Sequence, residues 1–295
     1  MTRSHLAAVF SLVACSASEK YGSLPDLLAE RAARIPGAVI GVYVKDLADE
    51  SVFGYQADSM FHAASTMKVP VMIEYFRAIA DGRFGPGASL KLENRFASIV
   101  DGSAYSLEPG EDSDSALYTR VGQLVPVREL VERMITRSSN LATNAVMTLV
   151  GAERAQATAR SLGASTMLVR RGVEDDKAFA QGLNNATSAR DLGALLDAIM
   201  GDRAASPAGT QEMLGILEAQ EFNDEIPAGL PSGTRVAHKT GQITGVLHDA
   251  AIVFPPEGRA PFILVVLTRG IPDEKLARAL IQDVARHVWT VLMED

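Results

Sequence analysis

Apolar positions recur along this chain in two rhythms, one helical and one of strands. Over residues 23–34 they share a helical face through Leu24, Leu27, Leu28 and Ala32, and Pro36-Gly37 ends the run. Residues 39–44 and 51–55 are short, β-branched and aromatic, and a polar turn over 46–50 joins them, which predicts a pair of strands. From Ala63 to about Leu217 the spacing is mostly helical, with clear helices predicted over 128–135, 140–150, 152–162 and 188–200. Strands return at 235–238, 250–254 and 262–267. A final helix from Asp273 repeats Leu276, Leu280, Val284, Val288 and Leu292 every four residues, read as one apolar stripe.

Strands at both ends with helices between them imply a single sheet assembled from the two ends of the chain. The fold class expected is α/β, in an α+β two-lobe form. Residues 20–60 and 232–295 would build an antiparallel sheet with flanking helices, and 61–231 would form an inserted all-helical lobe. The cleft between the lobes is where a ligand is expected. Residues 101–114 are acidic and rich in Ser and Gly, and read as an exposed loop.

Composition narrows the function classes. The chain has 295 residues and a formal net charge of −8, with no Lys/Arg run, which argues against nucleic-acid binding. No stretch reaches the ~18 apolar residues that span a bilayer. Arg3, an apolar run from Leu6 to Ala14 and then Cys15 describe a secretory leader over residues 1–15. Leu12-Val13-Ala14-Cys15 also resembles the lipobox of bacterial lipoproteins, in which the cysteine is acylated after cleavage. The protein is therefore expected to cross the inner membrane and to be periplasmic, or tethered to a membrane through lipidated Cys15. Cys15 is the only cysteine, so neither an intramolecular disulfide nor a zinc site built on several thiolates can form. No metal, no cofactor and a monomeric state are expected.

Three short motifs carry the candidate chemistry: Ser65-Thr66-Met67-Lys68, Ser138-Ser139-Asn140 and Lys239-Thr240-Gly241. Alone, each is weak, since an S-x-x-K arises by chance about once in a chain of this length. Their order and setting are stronger, because the first opens a helix, the second lies between two helices and the third lies on a late strand. Residues i and i+3 share a helix face, which puts Ser65 and Lys68 within side-chain reach. The residues that follow, 69–73, are apolar on every side, so this helix is expected to be buried. A buried lysine near a second cation such as Lys239 loses its proton more easily, and can then take the proton of Ser65.

The trio resembles the motif set of class A β-lactamases and penicillin-binding proteins. The likeness runs over nearly the whole chain after residue 20 and is especially close over 61–75 and 134–151. It implies a β-lactamase/transpeptidase-like fold in which Ser65 is the nucleophile, Lys68 its base and Ser138 a proton relay to the leaving nitrogen. It further implies that Asn140 holds the substrate's amide carbonyl and that Lys239 and Thr240, beside Gly241, bind its carboxylate. The backbone N–H groups of Ser65 and Gln242 would form the oxyanion hole. Tyr105 is a weaker candidate for the cleft border, while His62, His238 and His248 lack metal-ligand spacing and read as structural.

Two departures from the family pattern matter. Ser139 stands where class A enzymes have a buried structural aspartate. The stretch matching their Glu-x-x-Leu-Asn is Ala180-Gln181-Gly182-Leu183-Asn184, so Asn184 is kept to hold the hydrolytic water while Ala180 replaces the glutamate that activates it. Glu174, Asp175 and Asp176, upstream in the same loop, are expected to be solvated rather than to substitute for it. The leading expectation is a serine β-lactamase-type hydrolase acting through a Ser65 acyl-enzyme on a β-lactam or a D-Ala-D-Ala-like peptide. A D,D-peptidase or esterase that β-lactams acylate and that releases them slowly is the alternative. A non-catalytic β-lactam sensor is disfavoured by the complete set of Ser65, Lys68, Ser138 and Lys239.

Overall fold

The computed structural model describes residues 20–256 and 258–293; the leader expected over 1–15, with Cys15, lies outside them. Five antiparallel strands form the main sheet: β1 (Val39–Asp46), β2 (Val52–Tyr55), β3 (Arg235–Ile243), β4 (Val246–Phe254) and β5 (Phe262–Arg269). Their spatial order is β2-β1-β5-β4-β3. Hairpins make every pairing but one. The exception joins the two ends of the chain, β1 lying against β5 with Val42 opposite Val266.

The continuous apolar run of β5 follows from cover on both faces. Phe262, Leu264 and Val266 pack into one core with residues of two helices, α1 (Leu24–Ala33) and α9 (Glu274–Met293). Ile263, Val265 and Leu267 face a second, larger core. Between β2 and β3 the chain forms the remaining helices: α2 (Lys68–Ala80), α3 (Val127–Thr136), α4 (Asn140–Val150), α5 (Ala152–Ser161), α6 (Asp176–Ala180), α7 (Ala189–Met200) and α8 (Pro207–Glu218). Helix α2 is buried from Lys68 to Phe76, and α3, α4, α5 and α8 pack around it. Helix α7 crosses under the sheet against β1, β4 and β5. It approaches closely because Gly193 has no side chain: a Cβ there would lie 2.3 Å from the Tyr43 ring of β1.

Two expectations are corrected. Strands β3 and β4 are longer than predicted, because Lys239 to Gln242 in one and His248-Asp249 in the other interrupt the apolar rhythm without interrupting the ladder, which runs up to the Thr244-Gly245 turn. The stripe on α9 is not straight. A four-residue repeat overshoots a helical turn by about 40° at each step, so five such residues wind around the axis. Leu276 is 51% exposed, and the buried face is Ala277, Leu280, Ile281, Val284, Ala285 and Val288. Among the described residues no helix is long and apolar enough to cross a membrane.

Leu264→Ala should lower the unfolding free energy by about 2–5 kcal/mol, because it opens a cavity at a fully buried position. Leu276→Ala should change it by less than about 0.5 kcal/mol. Urea denaturation of the two variants checks both the core assignment and the corrected face of α9.

Candidate active site

The nucleophile motif does not open directly as an α-helix. Ala64–Met67 form a 3₁₀ turn, and Lys68 is the first residue of α2. The turn starts from a strained residue: Ala64 has φ +45°, and its backbone N–H donates to His62 Nδ1 at 3.0 Å. His62 is fixed in turn, since its carbonyl lies 2.9 Å from Nε2 of the buried His248. Both histidines thus shape the segment leading to Ser65.

Ser138 lies between two lysines. Lys68 Nζ contacts the Ser138 carbonyl at 2.6 Å, Ser138 Oγ at 3.1 Å and Asn140 Oδ1 at 3.1 Å. Lys239 Nζ reaches the same Ser138 Oγ at 3.2 Å and the Thr240 carbonyl at 3.0 Å. Both lysine side chains are 0% exposed. Burial, and then the neighbouring Lys239, hold the Lys68 amine well below the ordinary lysine range. Burial also pulls Lys239 down, to about 7, against the opposing pull of Asp249 and Glu225. Ser138 itself sits in the left-handed region at φ +55°. A hydroxyl that accepts from two lysines still has its own proton to give, and Ser138 therefore suits a relay.

The sheet edge closes on the nucleophile from the other side. A Cβ on residue 241 would sit 3.2 Å from the backbone nitrogens of Ser65 and Thr66, so β3 and the 3₁₀ turn touch backbone to backbone at a glycine. Ser65, Ser138, Asn140, Thr240, Gly241 and Gln242 all line one solvent-open cleft of about 600 Å³, within the usual range for small-ligand sites. Phe222, Asp224, Ile271 and Glu274 extend it beyond the motifs, and the side chain of Gln242 is tied to Glu274 at the start of α9.

The loop that follows α5 overturns part of the sequence reading. Glu174 is half-buried, and its Oε1 accepts from Asn140 Nδ2 at 2.5 Å. It is therefore not a solvated loop carboxylate. Asn140 divides its amide, the oxygen to Lys68 and the nitrogen to Glu174. Burial raises the Glu174 carboxyl above the usual glutamate range, and the Asn140 hydrogen bond opposes that shift. Asn144, one turn further along α4, receives the Val173 N–H at 2.7 Å and donates to the Val173 carbonyl at 3.0 Å. Gly172 admits this clamp, since a Cβ there would lie 2.3 Å from Asn144 Oδ1. Glu174 has φ +58°, so Ala64, Ser138 and Glu174 are three non-glycine residues in left-handed backbone at one site. Each such residue costs ~1–3 kcal/mol and persists only where its surroundings over-determine it.

Asp175 was also expected to be solvated, but it is 2% exposed and accepts from Ser98 Oγ, the Ile99 N–H and the Ala178 N–H. Asp176 is exposed. Asn184 stands apart from the other site residues: its Oδ1 accepts from Arg171 at 2.8 Å, and Arg171 also bonds the Leu183 carbonyl. The Leu-Asn pair thus braces the neck of the loop, and Ala180 ends α6 in an exposed position. Tyr105 donates to the Val173 carbonyl at 3.2 Å and anchors the loop; burial pushes its hydroxyl up to about 12. His238 pairs with Asp249 at 2.9 Å, both fully buried. Among the described residues no group of three or more His, Cys, Asp or Glu is placed to hold a metal ion.

Comparison with known proteins places this geometry among relatives. The β-lactamase enzyme family model matches residues 24–292. β-Lactamase AST-1 of Nocardia asteroides is 30% identical over 264 residues, which cover 87% of this chain and 80% of that one. The structure of PBP-A superposes with a TM-score of 0.79 at 25% identity, covering 93% of this chain and 97% of that one. An ancestral class A β-lactamase superposes with a TM-score of 0.75 at 29% identity, over 90% and 98% of the two chains. The match is continuous from α1 to the last turn of α9, and on that extent the chain belongs to the β-lactamase enzyme family.

Proposed function

We propose that this protein is a serine β-lactamase that both forms and hydrolyses a Ser65 acyl-enzyme. The observation that carries the reading is the convergence of two buried lysines on Ser138 Oγ at the floor of a cleft that also exposes Ser65. The Ser65 proton passes to the neutral amine of Lys68 as Oγ attacks the lactam carbonyl carbon. The C–N bond then breaks, and Ser138 delivers a proton to the departing nitrogen while its own is restored from Lys68. Backbone N–H groups of Ser65 and Gln242 receive the developing oxyanion, and Lys239 with Thr240 holds the substrate carboxylate.

For deacylation the structure favours turnover over the slow release that Ala180 suggests from sequence. Glu174 supplies a carboxylate to the Asn140–Lys68 network from a different point of the loop. A raised carboxyl is the better general base near neutrality. It takes a proton from water as the water attacks the ester, and Ser65 leaves with that proton. Export also belongs to this reading: the leader and Cys15 would place the enzyme outside the inner membrane, tethered where Cys15 is acylated.

Three outcomes are expected. Mixed with a penicillin and followed by mass spectrometry, Glu174→Gln should accumulate a penicilloyl adduct on Ser65 and release it about 10²–10⁴-fold more slowly than the wild type. Ser65→Ala should form none. An adduct equally short-lived in Glu174→Gln would remove Glu174 from deacylation. The second outcome concerns pH. Lys239 is protonated below about 7, so kcat/KM for a carboxylate-bearing substrate should fall as pH rises through that value, and fall less for an uncharged ester. Rate profiles between about pH 6 and pH 9 check the sign. Thirdly, Cys15→Ser should move the protein from the membrane to the soluble fraction of the expressing cell; a wild type already soluble would refute the tether.

A further inference from the structure

The turn that carries Ser138 and Asn140 lacks the aspartate that enzymes resembling this one place between those residues, and Ser139 occupies its position. Ser139 caps α4 in the ordinary way, its Oγ accepting from the Ala142 N–H at 3.2 Å. That leaves the first two N–H groups of the helix, on Asn140 and Leu141, needing acceptors. They find them 28 and 29 residues away in sequence. Asp112 Oδ1 accepts from the Asn140 N–H at 3.0 Å, and Oδ2 accepts from the Leu141 N–H at 2.8 Å. The same carboxylate takes two further donors, the Asp114 N–H at 3.0 Å and the Tyr118 hydroxyl at 3.0 Å. Asp112 is 8% exposed, and these four donors occupy a buried carboxylate's acceptor sites.

Its neighbours grip the same turn. Ser113 Oγ donates to the Arg137 carbonyl at 2.5 Å, and Asp114 forms an ion pair with Arg133 at 2.9 Å. Asp112 and Ser113 thus hold the backbone on the two sides of Ser138, which is left-handed, and Asp114 braces the end of α3 through the Arg133 side chain. The turn so held includes Asn140, whose amide must serve Lys68 and Glu174 together.

We propose that Asp112 is a positioning residue for catalysis: a carboxylate delivered from the 101–114 loop that fixes the Ser138-Ser139-Asn140 turn, the task given elsewhere to an aspartate within the turn itself. The proposal rests on the reading of Ser65 as the acylated nucleophile. Asp112 touches no substrate. It acts by setting where Ser138 Oγ and the Asn140 amide stand relative to Lys68, whose charged form its carboxylate also favours.

The test uses Asp112→Asn, which keeps the shape but turns one acceptor into a donor facing a donor. Penicillin acylation of Ser65 should slow about 10²-fold, the scale expected when a catalytic group is displaced by about an ångström. KM should change little, and backbone hydrogen exchange over residues 138–142 should quicken while the melting transition stays cooperative. Restoring a carboxylate within the turn, as Asp112→Asn with Ser139→Asp, should recover most of the rate. Acylation of Asp112→Asn within about threefold of wild type, or unchanged exchange over 138–142, would overturn the proposal. If the single variant fails to fold, the double variant decides: folding with acylation supports the proposal, and neither refutes it. A wild type that forms no adduct would sink the catalytic reading and the catalytic role of Asp112 with it. The exchange measurement would still report on the clamp, so the two failures are distinguishable.

Discussion

The site depends on two lysines that share one hydroxyl. Contacts of 3.1 and 3.2 Å to Ser138 Oγ keep the two nitrogens within about 7 Å of each other, and both side chains are fully buried. Two full positive charges at that range repel by ~2.5 kcal/mol at an effective dielectric constant of 20, before any cost of burial. That repulsion alone would leave a lysine charged at neutral pH. It adds to burial, the larger cause, in holding Lys68 well below the ordinary lysine range. The surroundings decide which proton is lost. Burial opposes the charge on both lysines, and two carboxylates support it on each, Asp249 and Glu225 at Lys239 and Asp112 and Glu174 at Lys68. Lys68 is set apart by the further opposition of Lys239. One lysine becomes a base and the other remains a carboxylate receptor for part of the pH range.

Holding those charges in place requires backbone that would not otherwise stay there. Ala64, Ser138 and Glu174 adopt left-handed conformations directly beside the groups that react. Each is pinned by a side-chain contact, local for His62 on Ala64 and from a distant element for Lys68 on the Ser138 carbonyl and Asn144 on the residue preceding Glu174. The buried helices supply the rigidity on which these contacts bear. Helix α4 does most of this, since Asn140 and Asn144 lie one turn apart on the face it presents to the loop.

The parts of this arrangement that could be read from sequence are those whose spacing is local. Ser65 and Lys68 are three residues apart, Ser138 and Asn140 two, and Lys239 to Gly241 are contiguous, so their juxtaposition follows from one turn or one strand. The α/β class, with an antiparallel sheet built from both ends of the chain, was legible for a similar reason, because the helical and strand rhythms persist over whole elements. The segment 61–231, expected to be all helical, also carries three short two-stranded pairings, whose strands of two or three residues are too brief to show a rhythm. Glu174 and Asp112 were not legible. Both arrive on irregular loops whose register is set by tertiary contacts, such as the Asn144 clamp on Val173 and the close approach of Asn144 that Gly172 permits. Reading Leu183-Asn184 as a catalytic landmark misplaced the loop, because Arg171 draws that pair to its neck. A kept dipeptide fixes a register only where its partners are kept as well.

The pairing of β1 with β5 has a consequence for biosynthesis. Ser65 leaves the ribosome early, followed by the helices that bury Lys68, but β3 brings Lys239 and the glycine that abuts Ser65 only late. Strand β3 is held by β4, β4 by β5, and β5 by β1 from the opposite end of the chain. Pairings this distant in sequence form slowly, since loop closure precedes any gain from contact. A nascent chain therefore exposes its serine for most of synthesis without the lysine pair that makes it reactive. Acylating power awaits completion of the sheet.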